Sequence, residues 1–415
     1  MRGVDLTEAL HRAEQLDAED PLSRVRERFS LPEGLVYLDG NSLGALGSSV
    51  PAAVGDAVER QWGQSLVASW NIHDWWDAPR RVGARIAAIV GASDDEVVVA
   101  DSTSVNLFKA LVAAARLRPG RATMVIEAGN FPADLYIADS VADLLGLTVR
   151  RVDPLDIGSA LDDGVAVVSL SHVDYRTGRA YDMAGITKAV HEAGAVAVWD
   201  LSHSAGALVV DLDGCDVDFA VGCGYKYLNG GPGAPAYVMA ARAHHAAMRS
   251  PLPGWTGHAR PFAMEGMYEP APGIDAMRCG TPPMLSLLAL ESALHAFDGL
   301  TMQQVRARSL SLTALFLDLA DGHLAAHGFE RVTPEREEER GSQVSLRHPD
   351  AYGVVQALAA REVVGDFRHP DIVRLGFAPL YVRHVDVVTA VRHLVEVVEA
   401  GEERDARWMV RTTVT

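Results

Sequence analysis

Short, unbroken apolar runs alternate with amphipathic stretches through the first part of the chain. Residues 96–100, 123–127, 148–152, 165–170, 195–199, 219–221 and 234–239 read as strands. Runs this short and for the most part this apolar (148–152, with Arg150 and Arg151, is the exception) suit strands covered on both faces, as in a mainly parallel sheet. Residues 105–115 and 183–193 carry the helical period between them, and strands alternating with helices indicate an α/β architecture. Ahead of this region, residues 5–20 place Leu6, Leu10, Ala13 and Leu16 on one helical face, closed by Pro21. Residues 35–39 form a short strand, and a helix is expected from Pro51 to about residue 66 with Ser49 as its cap. Helices over 284–297 and 302–320 then lead into a second region. There, residues 330–347 read as a charged hairpin whose 335–340 run is a solvated turn. Strands follow over 363–367 and 372–377, and a last helix over about 385–400.

Composition narrows the class. A chain of 415 residues, 48% hydrophobic, can bury a sizeable core in a large and a smaller domain. No apolar run reaches membrane-spanning length, and the start at Met1-Arg2-Gly3-Val4 lacks the apolar core of a signal peptide. A net charge of −18 argues against nucleic acid and anionic membranes as partners. The three cysteines, Cys215, Cys223 and Cys279, form no C-x-x-C pair, which suits a reducing, cytoplasmic setting.

The chemistry gathers where the predicted strands end. Asp200 closes one buried strand, with His203 three residues on, and Tyr225-Lys226 follow the next strand and precede a Gly/Pro-rich loop. An acid and a lysine so placed suit pyridoxal phosphate. The amine forms a Schiff base with the cofactor aldehyde, and the acid keeps the pyridine nitrogen protonated so that the ring draws in electrons. The chain has only three lysines. Lys109 and Lys188 lie in helical runs and read as surface residues, leaving Lys226 as the candidate, with an ordinary loop lysine as the alternative. Ser102-Thr103-Ser104 open a helix; hydroxyls there cap it or cradle a phosphate, and three in a row favour phosphate. Phe131 and Asp134, expected in a loop after a strand, could stack on a ring and orient a polar partner. Gly40-Asn41-Ser42-Leu43-Gly44 matches the serine-nucleophile pentad. That elbow needs a helix straight after the serine, so a tight glycine turn presenting Ser42 to a ligand fits better. Trp70, Trp75 and Trp76 suit either a wall for an aromatic ligand or core packing. Arg374, inside an apolar strand, needs an anion: a substrate carboxylate or a structural acid. Polar sets at strand ends are where open α/β sheets bind ligands.

These ordered motifs, from the stretch at 37–44 through to Val373-Arg374-Leu375, resemble the kynureninase family, within the class V aminotransferase group of pyridoxal-phosphate enzymes. The resemblance implies fold type I: a seven-stranded, mostly parallel sheet in a large domain (51–297), a smaller α+β domain (298–415) and an N-terminal segment (1–50) packing on it. It implies Thr103 and Ser104 at the cofactor phosphate, Phe131 stacked on the ring, and Asp134 nearby. Asp200 becomes the pyridinium partner with His203 beside it. Tyr225 contacts the phosphate and Lys226 carries the Schiff base. Trp255 and Thr281 would reach the phosphate across a homodimer interface, and Arg374 would grip the substrate carboxylate. The implied activity is hydrolytic Cβ–Cγ cleavage of L-kynurenine to anthranilate and L-alanine, a step of tryptophan catabolism, with Lys226 moving the α-proton and Tyr225 a possible relay. Trp70 and Thr281 stand where members favouring the 3-hydroxy substrate place histidine and asparagine, so the unhydroxylated substrate is expected to be preferred. Alternatives are another class V enzyme, such as a cysteine desulfurase or an aminotransferase, or a non-catalytic binding protein of the same fold.

Overall fold

The computed structural model describes residues 5–409, so the expectation for Met1 to Val4 lies outside the described residues. In chain order the strands are β1 (Val36–Tyr37), β2 (Val97–Val99), β3 (Thr123–Glu127), β4 (Thr148–Val152), β5 (Val165–Ser171), β6 (Val196–Asp200), β7 (Phe219–Gly222), β8 (Tyr237–Ala240), β9 (Glu330–Arg331), β10 (Gln343–Arg347), β11 (Val363–Val364), β12 (Asp366–Arg368) and β13 (Ile372–Gly376). The principal helices are α1 (Leu6–Glu19), α2 (Val50–Asp56), α3 (Ala78–Val90), α4 (Thr103–Arg116), α5 (Pro132–Leu145), α6 (Met183–Glu192), α7 (Met284–Ala293), α8 (Met302–His323), α9 (Ala351–Ala359) and α10 (His384–Ala400).

Seven strands form one sheet in the order β2-β8-β7-β6-β5-β3-β4. β3 to β7 pair in parallel, and β8 runs against both its neighbours. Strands β5 and β6 are buried along their whole length, since layers cover both faces. A second, antiparallel sheet has the order β12-β13-β10-β9, and β1 pairs in parallel with β11 beside it. Helix α1 packs on α10, so the N-terminal segment lies against this second sheet's helices. No described helix is long and apolar enough to cross a membrane.

Four local readings are corrected. Lys109 is fully buried rather than on a helix surface. Helix α4 runs beneath the sheet, with residues 109–115 buried all round, so no face of that turn is left for solvent. The Lys109 ammonium donates to Asp101 Oδ2 at 2.7 Å and to the Met277 carbonyl at 2.6 Å. Residues 132–134 are not loop: Pro132, its φ already helical, opens α5, which puts Asp134 in the first turn. Arg340, assigned to a solvated turn, is buried and donates to the Glu335 carbonyl at 2.6 Å. Ser49 does precede a helix, which begins at Val50, but its side chain makes no cap bond; its hydroxyl pairs with Ser292 at 2.8 Å instead.

The buried ammonium of Lys109 ties the β2–α4 turn to the segment around Met277. Removing one member of such a pair leaves the other charge uncompensated. Lys109→Met is therefore expected to lower unfolding free energy by about 3 kcal/mol, read by urea denaturation. A change within error would mean that the pair contributes nothing net.

Candidate active site

The carboxyl ends of β5 and β6 and the turn after β7 meet the start of α4, the start of α5 and the edge of the second sheet. The cavity between them has a volume of about 230 Å³ and is lined by Ser42, Thr103, Ser104, Phe131, Asp134, Ser171, Tyr175, Asp200, His203, Tyr225, Lys226, Arg368 and Arg374, among others. Larger clefts lie elsewhere; the one beside Arg85, Leu294 and Asp298 gathers no comparable set of polar groups.

Lys226 Nζ stands 3.0 Å from His203 Nε2. The other ring nitrogen, Nδ1, is 2.9 Å from Gln343 Oε1. The Gln343 amide nitrogen donates to the carbonyls of Tyr175 (2.9 Å) and Asp174 (3.2 Å), so its oxygen must face the imidazole. His203 thus carries its proton on Nδ1 and turns a lone pair to the lysine. Burial, then the Lys226 charge, hold His203 well below its usual pKa, so the ring stays neutral.

Asp200 ends β6, and its Oδ1 accepts from the Ser202 backbone at 2.6 Å. Asp134, from the first turn of α5, bonds to it. Burial and the Asp200 charge raise the Asp134 carboxyl well above the usual range, so Asp134 holds a proton. The Phe131 ring is half exposed and meets Tyr175 edge-on at 5.2 Å. Thr103 and Ser104 lie in the first turn of α4, behind the cap Ser102, whose hydroxyl accepts from Val105 N. First-turn N–H groups have no intrahelical acceptor, and the helix dipole favours an anion there. Burial raises the Tyr225 phenol, which stays protonated at neutral pH.

Arg374 sits mid-strand in β13, directly across from Asp366 of β12. Its Nε donates to Asp366 Oδ1 at 2.7 Å and its Nη2 to Oδ2; Nη2 also donates to Ser42 Oγ at 2.8 Å, and Nη1 to the Tyr175 carbonyl at 2.7 Å. The structural acid is thus present, and Arg374 lines the cavity as well. Ser42 is followed by turn and loop rather than helix, so no nucleophile elbow forms.

Three of the sequence candidates do not line this cavity. Trp70 packs edge-on against Trp75 at 5.8 Å. Trp255 stands 5.4 Å from Trp76. Thr281 lines a separate cleft with Asp101, Tyr225 and Cys279. Sequence reasoning missed Tyr175, Arg368 and Gln343. Arg368 had a faint signal, alternating with Asp366 on one strand face; Gln343, at the start of a mixed polar and apolar strand, had none.

The residues present fit a planar, phosphorylated pyridinium aldehyde: an amine, a carboxylate at the opposite wall, an open aromatic face and a helix N-terminus. A solved cysteine desulfurase from Thermococcus onnurineus NA1 superposes with a TM-score of 0.78, at 18% identity, over 92% of this chain and 99% of its own. The cysteine desulfurase CsdA of Escherichia coli gives 0.77 at 20% identity, over 91% and 98%. The fold is therefore fold type I, an α/β architecture with a large, mostly parallel sheet. Residues 305–394 match the family model described as kynureninase C-terminal domain. The chain is 46% identical over 407 residues to a kynureninase of Burkholderia mallei (strain SAVP1), covering 96% of this chain and 98% of that one. It is 47% identical to the Pseudomonas fluorescens kynureninase over the same shares of both chains. The chain belongs to the kynureninase family.

Proposed function

We propose that the chain uses pyridoxal phosphate to hydrolyse the Cβ–Cγ bond of L-kynurenine, yielding anthranilate and L-alanine. The observation that carries this reading is the lysine amine beside a neutral histidine, in a cavity that also holds a buried carboxylate pair and a helix N-terminus. Bound there, the cofactor supplies an aldehyde that condenses with amines and a cationic ring that takes up electron density.

The side chains then have separable tasks. Lys226 would hold the cofactor through its amine and, as a free amine, would move the α-proton. Neutral His203 accepts a hydrogen bond from the lysine nitrogen without repelling it. Asp200 would hold the ring nitrogen protonated, and Asp134, its carboxyl raised by burial and the Asp200 charge, spares the site a second negative charge. Phe131 would cover a ring face, and Thr103 and Ser104 would hold the phosphate. Tyr225 keeps its proton and can donate it. Arg374 and Ser42 hold the α-carboxylate. Thiol chemistry is less well supported: Cys223 is buried with its thiol pushed up by burial, and Cys279 lies in the neighbouring cleft. Three unpaired cysteines suit the cytoplasm.

The active unit is a homodimer in this reading. Val67 (81% exposed), Ile72 (66%), Phe262 (69%), Met264 (81%) and Met267 (83%) are exposed apolar side chains that a partner could cover. Trp70 and Trp255 join this aromatic region, and Trp255 and Thr281 would serve the partner's site.

Three outcomes are expected. Wild-type protein releases blue-fluorescent anthranilate from L-kynurenine, whereas Lys226→Ala lacks both this activity and the visible absorption of lysine-bound cofactor. Sulfide from cysteine with no anthranilate would favour a desulfurase instead. Mixing inactive Lys226→Ala and Trp255→Ala subunits, with exchange confirmed, restores activity because one site in the heterodimer is intact; no recovery rejects sharing. Steady-state kinetics should show kynurenine preferred over its 3-hydroxy form by roughly ten- to hundredfold in kcat/KM, since the Trp70 indole and Thr281 offer the extra hydroxyl no dedicated partner. Equal or better use of the hydroxylated substrate would reject this preference alone.

A further inference from the structure

The carboxylate end of the cavity contains a second guanidinium. Arg374 and Asp366 side chains are 1% and 2% exposed and share both arms of a fork, so together they form a neutral unit. An incoming carboxylate that met only this unit would find hydrogen-bond donors but no net charge to offset its own desolvation.

Arg368 changes that balance. It lies two residues from Asp366 on the same face of β12 and lines the cavity beside Ser42 and Arg374. Its Nη2 donates to Asp366 Oδ2 and to Ser42 Oγ, the latter at 3.2 Å. Its Nε is buried with no protein partner, and its side chain is 31% exposed. Part of this guanidinium is thus braced by the Arg374 network, and Nε has no acceptor among the described residues. The other nearby charge is Asp39, whose Oδ1 is buried and unpartnered; burial and the Asp366 carboxylate push its carboxyl up to about 7. Two arginines therefore face one firmly ionised acid, Asp366, which burial alone would raise but which the two guanidinium groups hold below the usual range.

We propose that Arg368 supplies the uncompensated positive charge of this site and makes the second contact to the substrate α-carboxylate, which sets the selectivity for amino acids over simple amines. The proposal rests on the reading of the cavity as an α-amino-acid site. Arg374, locked to Asp366 and the Tyr175 carbonyl, fixes the direction of approach, and Arg368 provides the attraction. Its arrangement on Ser42 Oγ also explains why the glycine turn at 40–44 presents a hydroxyl at this place: one oxygen orders both guanidinium groups.

The test compares wild type with Arg368→Leu, Arg368→Gln and Arg368→Lys in the cofactor-loaded enzyme. Dissociation constants of L-alanine and ethylamine, which differ by the carboxylate, are read from the visible spectrum alongside KM and kcat for kynurenine. In the Leu and Gln variants the preference for L-alanine over ethylamine should fall by roughly ten- to hundredfold, with KM raised more than kcat is lowered. The Lys variant, which keeps the charge but loses the planar fork, should retain most of the preference. If Leu does not fold, Gln gives the same reading. An unchanged alanine-to-ethylamine ratio in either folded neutral variant overturns the role of Arg368. Absence of anthranilate from wild type would overturn the kynurenine reading instead, and the alanine measurement would still decide the role of Arg368.

Discussion

Gln343 joins the two sheets and sets the chemistry between them in one act. It begins β10 in the antiparallel sheet, is buried, and reaches across to the carboxyl edge of the large sheet. Its amide donates to two carbonyls of the turn after β5 and accepts from His203. An amide with its nitrogen committed to carbonyls has one orientation, so the histidine beside it has one tautomer. That tautomer gives Lys226 an acceptor that carries no charge. The Tyr175 carbonyl that receives Gln343 also receives Arg374 Nη1. The relative placement of the sheets, the state of the lysine's neighbour and the direction of the arginine are thus one constraint with several ends.

Electrostatics divides the cavity into regions of opposite preference. Asp200 and Asp134 form one wall, where burial would penalise two negative charges and a shared proton removes one of them. The start of α4 forms the other, where unpaired N–H groups and the dipole attract an anion. Between them, a neutral imidazole avoids adding a fixed cation beside the lysine. A ring system with a cationic nitrogen and an anionic phosphate would suit both preferences, with Asp200 toward the nitrogen and Thr103 and Ser104 toward the phosphate, and the Arg374–Asp366–Arg368 network would remain for a separate carboxylate.

Much of the large sheet was legible because parallel strands buried on both faces, such as those at 165–170 and 195–199, leave plain apolar runs. Residues 123–127 and 148–152 were also read to the residue, although the latter is a partly exposed edge strand carrying Arg150 and Arg151. Asp200 and Lys226 were legible because a strand that ends in a charge has few reasons to do so. Lys109 was misread because a single lysine in a helix suggests a solvated face. The contrary signal was that the turns after it hold no other polar residue, which marks a helix covered on every side. The 131–134 stretch was misread by weighing Phe131 and Asp134 for chemistry and overlooking that Pro132 is a helix opener. Gln343 and Tyr175 were illegible in principle: their roles come from contacts across about 170 positions, and no local pattern encodes them.

The same fold at 15–20% identity occurs in solved proteins named cysteine desulfurase and cystine C-S lyase, so the sheet cannot by itself decide which bond breaks. What differs is what surrounds the shared centre. Here the cysteine nearest the lysine, Cys223, is sealed behind the strand end with its thiol donating toward the Ser202 carbonyl, and burial disfavours its thiolate. A group in that state can pack but cannot attack. The functional side chains that do face the cavity are oxygen and nitrogen groups with defined protonation: a neutral histidine, a protonated tyrosine and a protonated aspartate. Such a set suits proton movement around a carbon skeleton, and hydrolytic cleavage between two carbons needs that movement and water but no thiolate.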